Sequence, residues 1–236
     1  SGADVTQLLE IALKSVSIAQ RVKLQLGTSQ YVTVGEALHD LAGDEFVTCP
    51  DAPKFQTAKY TPAKSIYAKL MRRGIPDGEI PNSHRFSQHG PKVLNLYTKI
   101  HETQQPGRIS KEFLVANGTA SDKKVLLDTS QPATTITTHP DEQIHYKYPR
   151  NISVREMARL QSFPDDFWFY GRYTLNGPRR KLDVSRNAQV GNAIPPLLGM
   201  ALGSAIDKII EILSHKKSLE EFSRTYPKET QIELFG

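Results

Sequence analysis

Residues 149–171 read PRNISVREMARLQSFPDDFWFYG, and residues 186–202 read RNAQVGNAIPPLLGMAL. In the first stretch Ser153-Val-Arg-Glu156 is a capping box: the serine hydroxyl holds the third backbone N–H of a helix while the glutamate reaches back to the N-cap N–H. The helix it opens turns Met157 and Leu160 inward and ends at Phe163-Pro164. Glu156 is thereby explained by structure before chemistry. Arg155 and Arg159 stand four apart on one helix face, where they reach either phosphates or carboxylates such as Asp165 and Asp166. Phe163, Phe167, Trp168 and Phe169 are expected in the core. In the second stretch Gly191-Asn192 forms a turn, and Pro195-Pro196 fits the first turn of a helix. That helix carries Leu197, Leu198, Met200, Ala201, Leu202, Ala205, Ile206, Ile209, Ile210, Ile212 and Leu213. So wide an apolar face predicts burial against more than one surface, and this chain alone need not supply them all.

These stretches also hold the charge. Between Lys147 and Val190 stand Lys147, Arg150, Arg155, Arg159, Arg172, Arg179, Arg180, Lys181 and Arg186 against Glu156, Asp165, Asp166 and Asp183, a surplus equal to the whole chain's net +5. A basic stripe is the footprint of a polyanion, nucleic acid first, or else a solvated arginine-rich face. The 236 residues, 38% hydrophobic and 23% charged, make one large globular domain or two small ones. One cysteine excludes an internal disulfide and a cysteine-based zinc site and predicts a reducing, cytosolic setting. No uninterrupted apolar run nears the ~18 residues of a membrane-spanning helix, so no membrane partner is expected.

Further out, residues 5–22 show helical spacing of apolar residues. Thr33-Val-Gly-Glu36 is a second capping box, opening a helix with Ala37, Leu38 and Leu41 inward. Residues 44–60 read as loop. Thr61-Pro62 reads as a helix start carrying Ile66, Tyr67 and Leu70 and stopping at Gly74, and PKVLNLYTKI as a further helix. Short strands are predicted at Phe113–Ala116, Lys124–Leu127 and Thr134–Thr138, and loop over 171–188. Short strands interleaved with helices and long loops argue for an α+β fold.

The two opening strings resemble the ninth and tenth motifs of the cytosine-5 DNA methyltransferases. Arg150, Ser153, Arg155, Glu156, Ala158, Arg159, Gln161, Phe163, Pro164 and Asp165 fit the ninth pattern, and Gln189 through Pro196 the tenth. LLDTSQPATTITTHPDEQIHY resembles the entry into the ninth, and YVTVGEALHDLAG a pattern that follows the eighth, so the likeness runs from about Tyr31 to Leu213. The catalytic Pro-Cys dipeptide, the Glu-Asn-Val motif, a Gly-x-Gly cofactor loop and the Gln-x-Arg-x-Arg string are absent. Cys49 lies in Thr-Cys-Pro, the reverse order, and reads as a structural, partly buried cysteine.

The resemblance therefore implies the second half of such an enzyme. Residues 1–43 would be a helical connector, 44–188 an irregular target-recognition domain, and 189–215 the tenth motif with a C-terminal helix that packs on a missing doubly wound α/β catalytic domain. Residues 216–236 would be a polar tail. The family flips cytosine from the duplex and methylates carbon 5 from S-adenosylmethionine. This chain alone would be inactive, with no catalytic residue of its own. It would supply duplex docking and one edge of the cofactor pocket, at Gly191, Asn192 and Ala193. Its partner would be the catalytic half, as a separate subunit or as an N-terminal region, in a restriction-modification system.

Arg155, Glu156, Arg159 and Gln161 are expected to support the fold. Exposed loop cations Arg172, Arg179, Arg180, Lys181 and Arg186 are expected on phosphates, where they gain by counterion release. Within the loop NSHRFSQHGPK, Asn82, Arg85 and Gln88 are the candidates for base contact. A zinc site from His84, His89 and His101 is a poorer reading, because the spacing is uneven and no cysteine is near. Gln231, Leu234 and Phe235 resemble the peptide that docks on bacterial sliding clamps. In isolation the apolar C-terminal helix should fray, repack or be covered in a homodimer. Two other classes stay open: a DNA-binding module without catalysis, and a protein–protein adaptor whose basic segment meets an acidic partner.

Overall fold

The computed structural model describes residues 31–119, 123–174 and 183–214, with side chains as far as residue 210. The helix expected over 5–22 and the clamp-like peptide lie outside the described residues. The chain divides into two compact units, residues 31–193 and residues 1–30 with 194–236. The tenth motif is thus cut between Ala193 and Ile194.

The larger unit begins with α1 (Val34–Leu38), closed by the Thr33–Glu36 capping box. A hairpin follows, β1 (Phe46–Thr48) antiparallel to β2 (Gln56–Ala58), with Phe46 opposite Ala58 and Thr48 opposite Gln56. It replaces the loop expected over 44–60. Next comes α2 (Ile66–Met71), capped by Ser65, whose hydroxyl accepts from Ala68 N; Thr61-Pro62 precedes the helix rather than opening it. α3 (Pro91–Thr103) buries Leu96, Tyr97 and Ile100 on one face. β3 (Gly107–Arg108), β4 (Val125–Leu126) and β5 (Gln143–Ile144) form a small sheet, antiparallel between the first two and parallel between the last two. Between β3 and β4, residues 111–116 form helix α4 (Lys111–Ala116), not a strand, because Ser110 caps it by accepting from Phe113 N. A four-residue apolar run cannot itself separate the two. Thr134–Thr138 likewise forms no strand. Leu96, Tyr97, Ile100, Ile109, Leu114, Leu126 and Ile144 close into one core cluster, each large side chain stabilising the unit by about 1.5–3 kcal/mol.

A second centre forms around α5 (Val154–Leu160), which packs on α1 and on α6 (Arg186–Asn192). Residues 186–192, expected as loop and turn, are helical because Ser185 caps them. Val154, Arg155, Glu156, Met157, Ala158 and Arg159 are all buried. Charged side chains are almost never fully buried unless paired, and here each is paired, as described below. The α+β architecture follows from these short helices and two small sheets.

The other unit contributes α7 (Pro196–Ser214). Ala201 and Ala205 are buried, while Leu198, Met200, Ile206 and Ile210 are exposed. The stretch Arg186–Ile210, interrupted at residues 193–195 between α6 and α7, is long and apolar enough to cross a membrane by length and composition only. Its first part is α6, docked on α5 through the Gln161 amide, which donates to Val190 O at 2.6 Å.

Candidate functional site

Three cations of the basic stripe, Arg150, Arg155 and Arg159, are buried. Arg150 donates to both oxygens of Glu156, at 2.8 and 2.7 Å, and Glu156 also accepts from Ser153 N at 2.6 Å, completing the capping box. Burial would raise the Glu156 carboxyl, but Arg150 and its other neighbours hold it well below the usual carboxylate range. Arg159 meets Asp165 and Asp40, and Arg155 donates to the carbonyls of Asn82, Pro164 and Phe167. Of the two roles open to Arg155 and Arg159, bracing is the one the geometry shows. Lys147 pairs with Asp44 at the surface.

Arg186 is not an exposed loop cation. It opens α6, lies 4.2 Å from the Tyr173 ring and pairs with Asp51 at 2.5 Å. Arg172 is exposed, and its side chain has no ion pair among the described residues; Arg179, Arg180 and Lys181 lie outside them. Phe163 and Phe169 are buried as expected, but Phe167, Trp168 and Tyr170 are exposed. Trp168 borders an open cavity of about 340 Å³, with Asp51, Glu79 and Asp166 around it.

The segment 82–89 is pinned along the hairpin. Phe86 N donates to Gln56 O at 2.8 Å, and His84 is sealed between Ser153 Oγ (2.7 Å) and Leu41 O (3.0 Å). Asn82 donates from its amide nitrogen to Asp165 O and accepts from Arg155 at its oxygen. Gln88 is exposed and donates to Lys54 O at 2.7 Å. Arg85 lies over the rings of both Phe55 and Tyr173, at 4.2 and 4.3 Å from their centroids. Sequence spacing held no signal for Phe55 or Tyr173, which are far from Arg85 along the chain. Among the described residues no group of His, Cys, Asp and Glu is arranged to hold a metal.

Cys49 is buried. Its thiol donates to Asp51 at 3.2 Å and lies 3.9 Å from the Tyr173 hydroxyl, and burial pushes its pKa up to about 11. A thiolate nucleophile needs the opposite environment. At the tenth motif, a Cβ on Gly191 would stand 2.5 Å from Thr137 O. This glycine therefore serves close approach of the chain's own backbone. Asn192, exposed at the end of α6, and Ala193, half-buried just beyond it, remain open to a ligand.

The sequence model of the C-5 cytosine-specific DNA methylases matches residues 22–208. A type II methyltransferase of Picosynechococcus, M.AquIB, is 33% identical over 137 residues, which are 57% of this chain and 94% of that protein. M.DdeI of Desulfomicrobium norvegicum, also a type II methyltransferase, is 28% identical over 78% of this chain and only 44% of its own length. Among solved structures, a prophage-encoded candidate DNA modification methyltransferase of E. coli shares the fold, with a TM-score of 0.50 and 19% identity over 77% of this chain and 48% of that one. The chain thus spans nearly all of one relative and less than half of the others. The chain belongs to the C-5 cytosine-specific DNA methylases.

Proposed function

We propose that this chain is the target-recognition part of an S-adenosylmethionine-dependent DNA (cytosine-5-)-methyltransferase, docking the duplex and reading its sequence, and that it is inactive without a catalytic half. The observation that carries this reading is Cys49. The chain's only cysteine is buried, hydrogen-bonded and held as a thiol, whereas the family's reaction begins with a thiolate attack. The catalytic half would be a separate subunit or an N-terminal region.

Arg85, Gln88 and Arg172 are the described residues placed to meet DNA, with Arg179, Arg180 and Lys181 as further phosphate contacts. Asn192 and Ala193 would hold one edge of S-adenosylmethionine, and Gly191 would act beneath them through packing. The cofactor supplies the methyl group; this chain's part is to border it. The exposed face of α7, with Leu198, Met200, Ile206 and Ile210, is the surface for the catalytic half.

The test is methyl transfer to duplex DNA by this chain, by the catalytic half of a relative, and by the mixture. Activity is expected in the mixture only; transfer by this chain alone would overturn the reading. Duplex affinity should fall steeply with salt, and a flat response would favour a protein-binding adaptor.

A further inference from the structure

Phe55, Arg85, Tyr173 and Arg186 alternate ring and guanidinium: Arg85 Cζ is 4.2 Å from the Phe55 centroid and 4.3 Å from that of Tyr173, and Arg186 Cζ is 4.2 Å from the same tyrosine ring. The two arginines differ in their anions. Arg186 Nη1 stands 2.5 Å from Asp51 Oδ2, and Asp51 Oδ1 accepts from the Tyr173 hydroxyl at 2.7 Å and the Cys49 thiol at 3.2 Å. That carboxylate already accepts from three groups. Arg85 has no ion pair among the described residues, and its Nε is buried without a hydrogen-bond partner. Desolvation accordingly pushes its pKa down.

A half-buried guanidinium without a counter-ion is costly, and stacking between two rings offsets part of that cost. The two ring contacts also restrain the side chain before any ligand arrives, so less side-chain entropy remains to be lost on binding. Along its edge the guanidinium carries coplanar donors that match two neighbouring acceptors. Guanine O6 and N7 form such a pair, and so do two phosphate oxygens. Gln88 separates them. Its Nε2 donates to the carbonyl of Lys54, the residue before Phe55, at 2.7 Å, which leaves Oε1 to accept. A donor fork beside an acceptor complements the major-groove edge of a G·C pair, which offers guanine's two acceptors and the cytosine N4 amino donor. A phosphate offers acceptors only.

We infer that Arg85 reads a guanine of the target sequence through O6 and N7, with Gln88 Oε1 placed for the amino group of the paired cytosine. This rests on the target-recognition reading above and adds the base pair that is read.

The test uses the full chain to select duplexes from a random pool. Binding to the selected duplex is then measured with each guanine replaced in turn by 7-deazaguanine, which pairs normally but lacks the N7 acceptor. At one guanine the replacement should weaken binding by roughly ten-fold. The Arg85→Met chain, which keeps an apolar filling between the rings, should bind both duplexes equally and accept any base pair at that position. Two results overturn the inference alone: selective binding that no 7-deazaguanine weakens, or an Arg85→Met chain that keeps the wild-type preference while its salt slope falls by about one, the mark of a lost phosphate contact. Absence of any duplex binding sinks the inference together with the target-recognition reading.

Discussion

Arg159 reaches across the Phe163-Pro164 turn to grip Asp165, its Nε donating to Oδ1 at 3.0 Å and its Nη2 to Oδ2, with both side chains fully buried. The third nitrogen crosses to α1, donating to Asp40 Oδ1 at 2.9 Å and to Ala37 O at 3.0 Å. Asp40 also accepts from Arg72 at 3.2 Å, and Asp165 from the Tyr60 hydroxyl at 2.7 Å. One arginine thus ties the ninth-motif turn to the start of the unit. The charges of Arg150, Arg155 and Arg159 are used inside the fold.

Replacing Arg159 with methionine leaves a side chain of similar length but removes the cation that two buried carboxylates share. Loss of one partner of such a pair costs about 3–5 kcal/mol. The urea midpoint of Arg159→Met should therefore fall steeply, while the salt dependence of DNA binding by the remaining folded protein stays as in the wild type. An unchanged midpoint with a shallower salt slope would return Arg159 to the DNA face.

Where sequence carried a local mechanism, it was legible. Both capping boxes, Thr33–Glu36 and Ser153–Glu156, form as read, because cap chemistry depends on residues three apart. The apolar run of α3 is long enough to show its period. The hairpin at 46–58 and helix α4 were not legible: each is only a few residues long and set by long-range packing or a single serine cap. The charge count failed for a different reason. It located nine basic residues and Glu156, but not Asp40 and Asp51, which lie outside the segment and pair with Arg159 and Arg186. The Phe55–Arg85–Tyr173 stack could not be read at all, since the fold alone brings its members together.

Two buried histidines make stability fall in mild acid. His84 and His145 are both desolvated, which pushes their pKa values from 6.5 down to about 4 and about 3. The folded protein keeps them neutral while the unfolded chain takes up protons below pH 6.5. Their stabilisation is therefore complete above that pH and is lost as pH falls toward 4, by about 1.4 kcal/mol per pH unit for each histidine. Urea denaturation between pH 7 and 5 should show a slope of this sign, and His84→Asn should lower it by about 1.4 kcal/mol per pH unit. A slope unchanged in that variant would contradict the assignment.

Cys49 should be chemically quiet. With its pKa pushed up to about 11, iodoacetamide at pH 8 should alkylate it on the order of 100-fold more slowly than a free cysteine, since only the thiolate reacts. The Cys49→Ala chain should support methyl transfer in the mixture with the catalytic half at the wild-type rate. Rapid alkylation, or loss of activity in a folded Cys49→Ala chain, would bring this thiol into the reaction.

Gly191 and Asn192 are neighbours with separable roles. A Cβ on Gly191 would lie 2.5 Å from Thr137 O and 2.6 Å from Thr138 N, so Gly191→Ala forces α6 away from that segment. The shift would disturb fully buried Val190, whose carbonyl accepts from Gln161 at 2.6 Å. Overpacking of this kind costs about 1–3 kcal/mol, and the loss should appear in the chain alone, without S-adenosylmethionine. Asn192 is exposed, so Asn192→Ala should change stability by no more than about 0.5 kcal/mol. It should instead raise the S-adenosylmethionine concentration the mixture needs for half-maximal methyl transfer. Denaturation of both variants, followed by cofactor titration in the mixture, separates the roles. If Gly191→Ala kept full stability and raised only the cofactor requirement, the glycine would belong to the cofactor edge and not to the backbone contact with Thr137.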